Sequence, residues 1–228
     1  MKGTREEDPF LVQRVQYNNL NALIQILNYG SGNLFSIADA LSRASNIKVL
    51  VSSKYRRGKP DGLVLPGVGS FSSAQRILGE NRDAILEDVQ ENKMPILGIC
   101  LGMQLMFEES EEGPGSGLRL FRGNVVKFSP EPNLKVPHIG WNTLSLSKKS
   151  SFCRGLSAQE WVYYVHSFYP SPKDRDIVKA WTKYGKQRFP AIIARENISG
   201  TQFHPEKSSK AGFKLVENFA RSVLRYSV

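Results

Sequence analysis

From residue 22 onward, short apolar runs alternate with stretches whose apolar residues recur at helical spacing. ALIQIL (22–27) reads as a buried strand ending at NYGSGN (28–33). A helix is expected from Asn33, with Leu34, Ile37, Ala38 and Leu41 at helical spacing. IKVLV (47–51) is a second strand, and DGLVLPGVGSF (61–71) a third that stops abruptly at Pro-Gly-x-Gly. A helical stretch follows through Ala84, Ile85 and Val89. MPILGIC (94–100) is a fourth strand, and GMQLMFEES (102–110) a helix. Near-continuous apolar strands alternating with helices predict a parallel sheet covered on both faces. Ligands of such sheets gather outside the carboxyl ends of the strands, and two glycine corners, PGVG and GICLG, fall there.

The second half changes character. FRGNVVKF (121–128), WNTLSL (141–146), WVYYVHSFYP (161–170), IVKAWTKY (177–184) and FPAIIARENISGTQFH (189–204) are rich in β-branched and aromatic residues. They predict antiparallel or mixed strands, followed by a last helix over 208–226 with Phe213, Val216, Phe219, Ala220 and Leu224 on one face. The expected fold is one α/β domain over residues 21–228. It has a mostly parallel central sheet with helices on both faces, and additional antiparallel or mixed strands in the C-terminal half. Residues 1–20 carry no clear periodicity and read as an extension or arm.

Composition changes this picture little. Hydrophobic residues make up 40% and charged residues 23%, ordinary values for a globular chain. No apolar run approaches the roughly 20 residues that span a bilayer. MKGTREEDPF lacks the apolar region of a signal peptide, so a cytoplasmic location is expected. In that compartment Cys100 and Cys153 are expected as free thiols. The formal charge is +10, concentrated in KYRRGK (54–59), KK (148–149) and KYGKQR (183–188). That charge suits either a patch for nucleic acid or an acidic partner, or a solvated surface. No named nucleic-acid motif is present, which favours the surface. No Cys and His spacing suggests a metal site.

The chemistry concentrates at GICLG. A nucleophile on a sharp strand-to-helix turn stands clear of the sheet, and flanking glycines make room for the turn. The following helix starts near Leu101, where its dipole favours a thiolate and its N–H groups face an oxyanion. Alone, Gly-x-Cys-x-Gly is equally compatible with a small core hydrophobe. A candidate base, His204, lies in GTQFHPEKS, with Glu206 two residues on. In an extended chain residues i and i+2 share a face, so Glu206 can orient the imidazole and stabilise its charge. Cys100, His204 and Glu206 thus supply nucleophile, base and orienter. The N–H groups of Leu101 and of Val68, freed by Gly67 and Gly69, are candidate oxyanion donors; an ordinary loop at PGVG stays open. His138 and His166 have weaker claims; His166 reads as structural, near the mouth of the site.

LPGVGSF, GICLGMQLMFEES, VPHIGWN, YYVHSFY and GTQFHPEKS, in that order and spacing, resemble class I glutamine amidotransferases over about residues 23–226. PHIGWN and YYVHSFY narrow the resemblance to the glutaminase subunits of imidazole glycerol phosphate synthases. The resemblance implies a flavodoxin-like layout. Cys100 would attack the glutamine side-chain amide, His204 would shuttle protons and Glu206 would orient it. Val68 and Leu101 would form the oxyanion hole, while Gly67, Gly69 and Gln104 would hold the substrate. No cofactor or metal is implied. The implied partner is a (β/α)8-barrel cyclase subunit that receives ammonia in a heterodimer, with Asn33, Trp141, Tyr163 and Lys207 at the interface. The extension at 1–20 and Asn28, where the family commonly has aspartate, depart from the pattern. Rival readings are a stand-alone amidase, a catalytically silent binding module and a nucleic-acid binder.

Overall fold

The computed structural model describes residues 22–30, 34–67 and 69–228. The expected arm at 1–20, Asn33 and Val68 lie outside these residues. The first half folds as β1 (Leu23–Leu27), α1 (Leu34–Ala44), β2 (Lys48–Ser52), β3 (Gly62–Leu65), α2 (Phe71–Leu86), β4 (Ile96–Ile99) and α3 (Leu101–Gln104). The second half adds β5 (Gly123–Lys127), β6 (His138–Leu146), β7 (Gln159–His166), β8 (Phe168–Pro172), β9 (Val178–Tyr184), β10 (Gln187–Arg195), β11 (Ile198–Thr201) and α4 (Ser209–Tyr226).

Among the described residues, nine strands form one sheet in the order β2-β1-β3-β4-β11-β10-β9-β6-β7. The β2-β1-β3-β4-β11 portion is parallel, and every pairing beyond β11 is antiparallel. A separate two-stranded sheet pairs β5 with β8. The parallel strands and the added antiparallel strands are those the sequence pattern predicts, but they share one mixed sheet with four parallel and four antiparallel pairings. Successive strand residues feed opposite faces, as the two-residue period of a strand requires. Val64 joins the cluster holding Ile37, Leu41 and Phe219, whereas Leu63 and Leu65 join that holding Phe71, Leu78 and Ile85. Each such buried aliphatic side chain contributes about 1.5–3 kcal/mol relative to exposure.

Three elements depart from expectation. The helix expected over 102–110 ends at Gln104. The carbonyls of Leu105, Met106 and Phe107 accept from Leu118, Phe121 and Arg119 instead of from the next helical turn. A tertiary competitor therefore takes the acceptors that propagation needs. The run 161–170 breaks at Ser167 into β7 and β8, which belong to different sheets. The run 189–204 folds back at Glu196 (φ 50°) to place β11 between β10 and β4.

Candidate active site

β4 lies between β3 and β11, both parallel to it. The three strands therefore end at the same edge of the sheet. PGVG follows β3, Cys100 follows β4, and His204 follows β11. The Cys100 N–H donates to the Thr201 carbonyl at 2.7 Å, so the two chain segments stay joined beyond the ladder.

The corner at Cys100 has φ 49° and ψ −104°, a conformation that a residue with a β-carbon adopts only under constraint. Its flanking glycines have a steric cause. A β-carbon on Gly102 would lie 2.0 Å from the Leu65 carbonyl oxygen, and one on Gly98 would lie 2.6 Å from the Gly102 carbonyl. Only glycines let α3 settle onto β3 and β4 this closely. Because α3 is a single turn, its dipole is small, contrary to the expectation from a longer helix. Leu101 opens α3, the position whose N–H no helical carbonyl accepts.

His204 is 2% exposed, and its Nδ1 donates to Glu206 Oε1 at 2.8 Å. The pair does not meet across an extended chain. Pro205–Lys207 is a short 3-10 turn, which swings Glu206 back under the ring. The turn is clamped by β7: the His204 N–H donates to the Tyr163 carbonyl at 3.0 Å, and Ser208 Oγ links the Tyr163 N–H to the His204 carbonyl. Burial works against charge on the imidazole, but the Cys100 sulfur and the Glu206 carboxylate outweigh it and raise its pKa to about 10. Among the described residues Nε2 finds no hydrogen-bond partner.

A cavity of about 260 Å³ opens at this edge. Gly67, Gly69, Cys100, Leu101 and Gln104, all singled out from the sequence, line it. Gln104 Nε2 donates to the Phe168 carbonyl at 2.8 Å and to Gln202 Oε1 at 3.3 Å. Glu112, Ser167 and Phe168 also line the cavity, and sequence reasoning missed them. The acidic run EESEEG held the signal for Glu112, but only the unwound segment after Gln104 brings that carboxylate round, where it accepts from the Phe71 N–H at 3.0 Å. His166, expected as structural and near the mouth, forms part of the wall and is paired with buried His138.

Trp141 and Tyr163 are cross-strand partners on β6 and β7, ring centroids 6.1 Å apart and edge-on. Lys207 Nζ stands 5.7 Å from the Tyr163 ring centre. These three therefore gather on one surface beside His204. Trp141 is 51% exposed and Ile139, on the same side of β6, 60%.

A family model for glutamine amidotransferase class-I matches residues 25–223, and the chain belongs to that family. It is 41% identical over 207 residues to the imidazole glycerol phosphate synthase subunit hisH of Cyanophora paradoxa, covering 90% of this chain and 96% of the relative. It is 46% identical to the HisH subunit of Geobacillus kaustophilus (86% and 95% covered) and 45% to that of Pyrococcus furiosus (87% and 98%). The crystal structure of a glutamine amidotransferase from Thermotoga maritima shares the fold, with a TM-score of 0.61 at 16% identity over 90% of this chain and 97% of that one. Within the family, the chain falls with the HisH subunits of imidazole glycerol phosphate synthase.

Proposed function

We propose that this chain is the glutaminase subunit of an imidazole glycerol phosphate synthase. It hydrolyses glutamine to glutamate and passes the ammonia to a (β/α)8-barrel cyclase subunit in a heterodimer, in histidine biosynthesis. The observation that carries the reading is the buried His204–Glu206 pair at the strand end beside Cys100, which itself lines a small cavity. That cavity is smaller than the ~300–1,000 Å³ of sites for drug-sized ligands, which suits a single amino acid.

Glutamine enters with its side-chain amide toward Cys100 and its ammonium toward Glu112. The Cys100 thiolate attacks the amide carbon, and the oxyanion is met by the N–H groups of Leu101 and Val68. His204, held cationic by Glu206, gives its proton to the departing nitrogen as the C–N bond breaks. Ammonia leaves and a thioester remains. Water, deprotonated by His204, then cleaves the C–S bond, giving glutamate and regenerating the thiolate. Gln104 supports the cavity wall.

Exposed Trp141 and Lys207, with half-buried Tyr163 between them, suit a protein partner, since aromatic and cationic side chains are enriched at interfaces. The test is glutamate release from glutamine by the chain alone and with the cyclase and its nucleotide ligand. Stimulation by the cyclase is expected. Full activity without it would point to a stand-alone amidase, and none in the assembled complex would point to a binding module.

A further inference from the structure

Gln202 is completely buried between β11 and His204 and plays no part in the mechanism above. Its Nε2 lies 3.5 Å from Cys100 Sγ, and its Oε1 lies 3.3 Å from Gln104 Nε2. Which end of this amide faces the sulfur decides what it does, and the surrounding network sets the answer.

The Phe168 carbonyl can only accept. It receives Gln104 at 2.8 Å and His166 Nδ1 at 2.9 Å, which together fill its two lone pairs. The Gln104 amide nitrogen therefore faces Phe168, and its second N–H is the one that reaches Gln202. Gln202 must present Oε1 to that N–H, which leaves its own NH2 toward Cys100. The other side of the network agrees. With His166 Nδ1 donating, neutral Nε2 accepts from His138 Nδ1 at 3.2 Å, and Asn142 Nδ2 lies 3.4 Å from His138 Nε2. The two arms, from β6 through the histidines and from Gln104, converge as donors on the Phe168 carbonyl. The main chain holds Gln202 as well, its N–H donating to the Ala191 carbonyl at 3.0 Å.

Besides the His204 imidazole, whose charge it supports, the sulfur has two polar neighbours of opposite kind. The Val165 carbonyl, 3.8 Å away, can take only an S–H proton. The Gln202 amide can only donate, so it favours the thiolate. A hydrogen bond from a buried neutral donor to a charged acceptor is stronger than one to a neutral acceptor.

We propose that Gln202 is a positioning residue for the nucleophile: its side-chain amide donates to Cys100 Sγ and ties the sulfur to Gln104, so that the reactive thiolate is held at the substrate cavity. The assignment rests on the glutaminase reading for its catalytic consequence, but the contact itself can be measured without glutamine.

The test compares wild type, Gln202→Met and Gln202→Asn, each in complex with the cyclase. Methionine keeps the volume and removes the donor; asparagine keeps the amide but withdraws it from the sulfur. The first readout is the pH profile of Cys100 alkylation by iodoacetamide, with Cys100→Ala as the blank. Both variants are expected to move the profile to higher pH and slow alkylation at neutral pH. The second readout is glutamate release, where kcat should fall by roughly 10-fold to 100-fold with KM changed far less. In the wild type, the Gln202 side-chain amide signals in nitrogen-15 spectra should titrate at the same midpoint as alkylation. That readout stands even if neither variant folds. Unmoved profiles in folded variants, an effect confined to KM, or Gln202 signals indifferent to that midpoint would each overturn the proposal. Absence of glutaminase activity in the wild-type complex, with the alkylation shift intact, would instead sink only the functional reading.

Discussion

The Tyr163 carbonyl accepts the His204 N–H at 3.0 Å, while the Tyr163 ring stands edge-on to exposed Trp141. One residue therefore holds the candidate base through its backbone and meets solvent through its side chain. A partner that covers the ring can bear on the base without touching it. Trp141→Ala should weaken cyclase binding by roughly 10-fold or more, as buried interface tryptophans do, and leave the melting temperature nearly unchanged because the ring is half exposed. Titration calorimetry and a thermal melt check both halves. A large fall in melting temperature would place Trp141 in the fold rather than in an interface.

A β-carbon on Gly67 would lie 2.7 Å from His204 Cε1 and 3.1 Å from the Ile99 carbonyl oxygen. Neither neighbour is a loose side-chain tip. Gly67→Ala should therefore displace the imidazole or the turn, with a stability loss of about 1–3 kcal/mol and a larger proportional loss of glutamate release. Urea unfolding and steady-state kinetics separate the two. Unchanged kcat would show that the turn moves freely.

Cys100→Ala should abolish glutamate release in the complex while the protein stays folded. The substitution removes the sulfur from a corner that is strained at φ 49° whichever side chain occupies it. The far-ultraviolet spectrum and the release assay test this directly. Residual turnover at more than a trace would move the nucleophile elsewhere.

Stability should fall on both sides of about pH 6.5. The pKa of His204 is raised to about 10, so its contribution is complete below 6.5 and is lost as pH rises toward 10. Burial lowers His138 to about 4 and His166 to about 3. The folded state keeps both neutral while the unfolded chain takes up protons, so their contribution is present above 6.5 and lost as pH falls toward 3–4. Urea midpoints across pH should flatten on the alkaline side in Cys100→Ala and on the acid side in His138→Asn. Parallel curves in all three proteins would contradict these assignments.

Much of this was legible in the sequence. The strand-helix alternation, the two glycine corners and the order of Cys100, His204 and Glu206 all follow from local patterns, which depend on each residue's near neighbours. The helix expected through residue 110 was not, because Leu118, Arg119 and Phe121 take its carbonyls, and a local pattern carries no record of a competitor ten or more residues away. Glu112, Ser167, Phe168 and Gln202 were missed for the same reason: each is an ordinary polar or apolar residue until the fold sets it at the cavity or against the sulfur.

By itself, the sequence determined the class of fold and the chemistry available at the strand ends, since hydrophobic period and steric demand at glycine are properties of short segments. Tertiary structure alone decided that β11 inserts beside β4 and brings His204 to Cys100, that a 3-10 turn rather than an extended chain joins His204 to Glu206, and that a buried amide donor faces the sulfur. The first and last depend on segments about a hundred residues apart, and the turn is fixed by its clamp to Tyr163 on β7, contacts that only the packed chain sets.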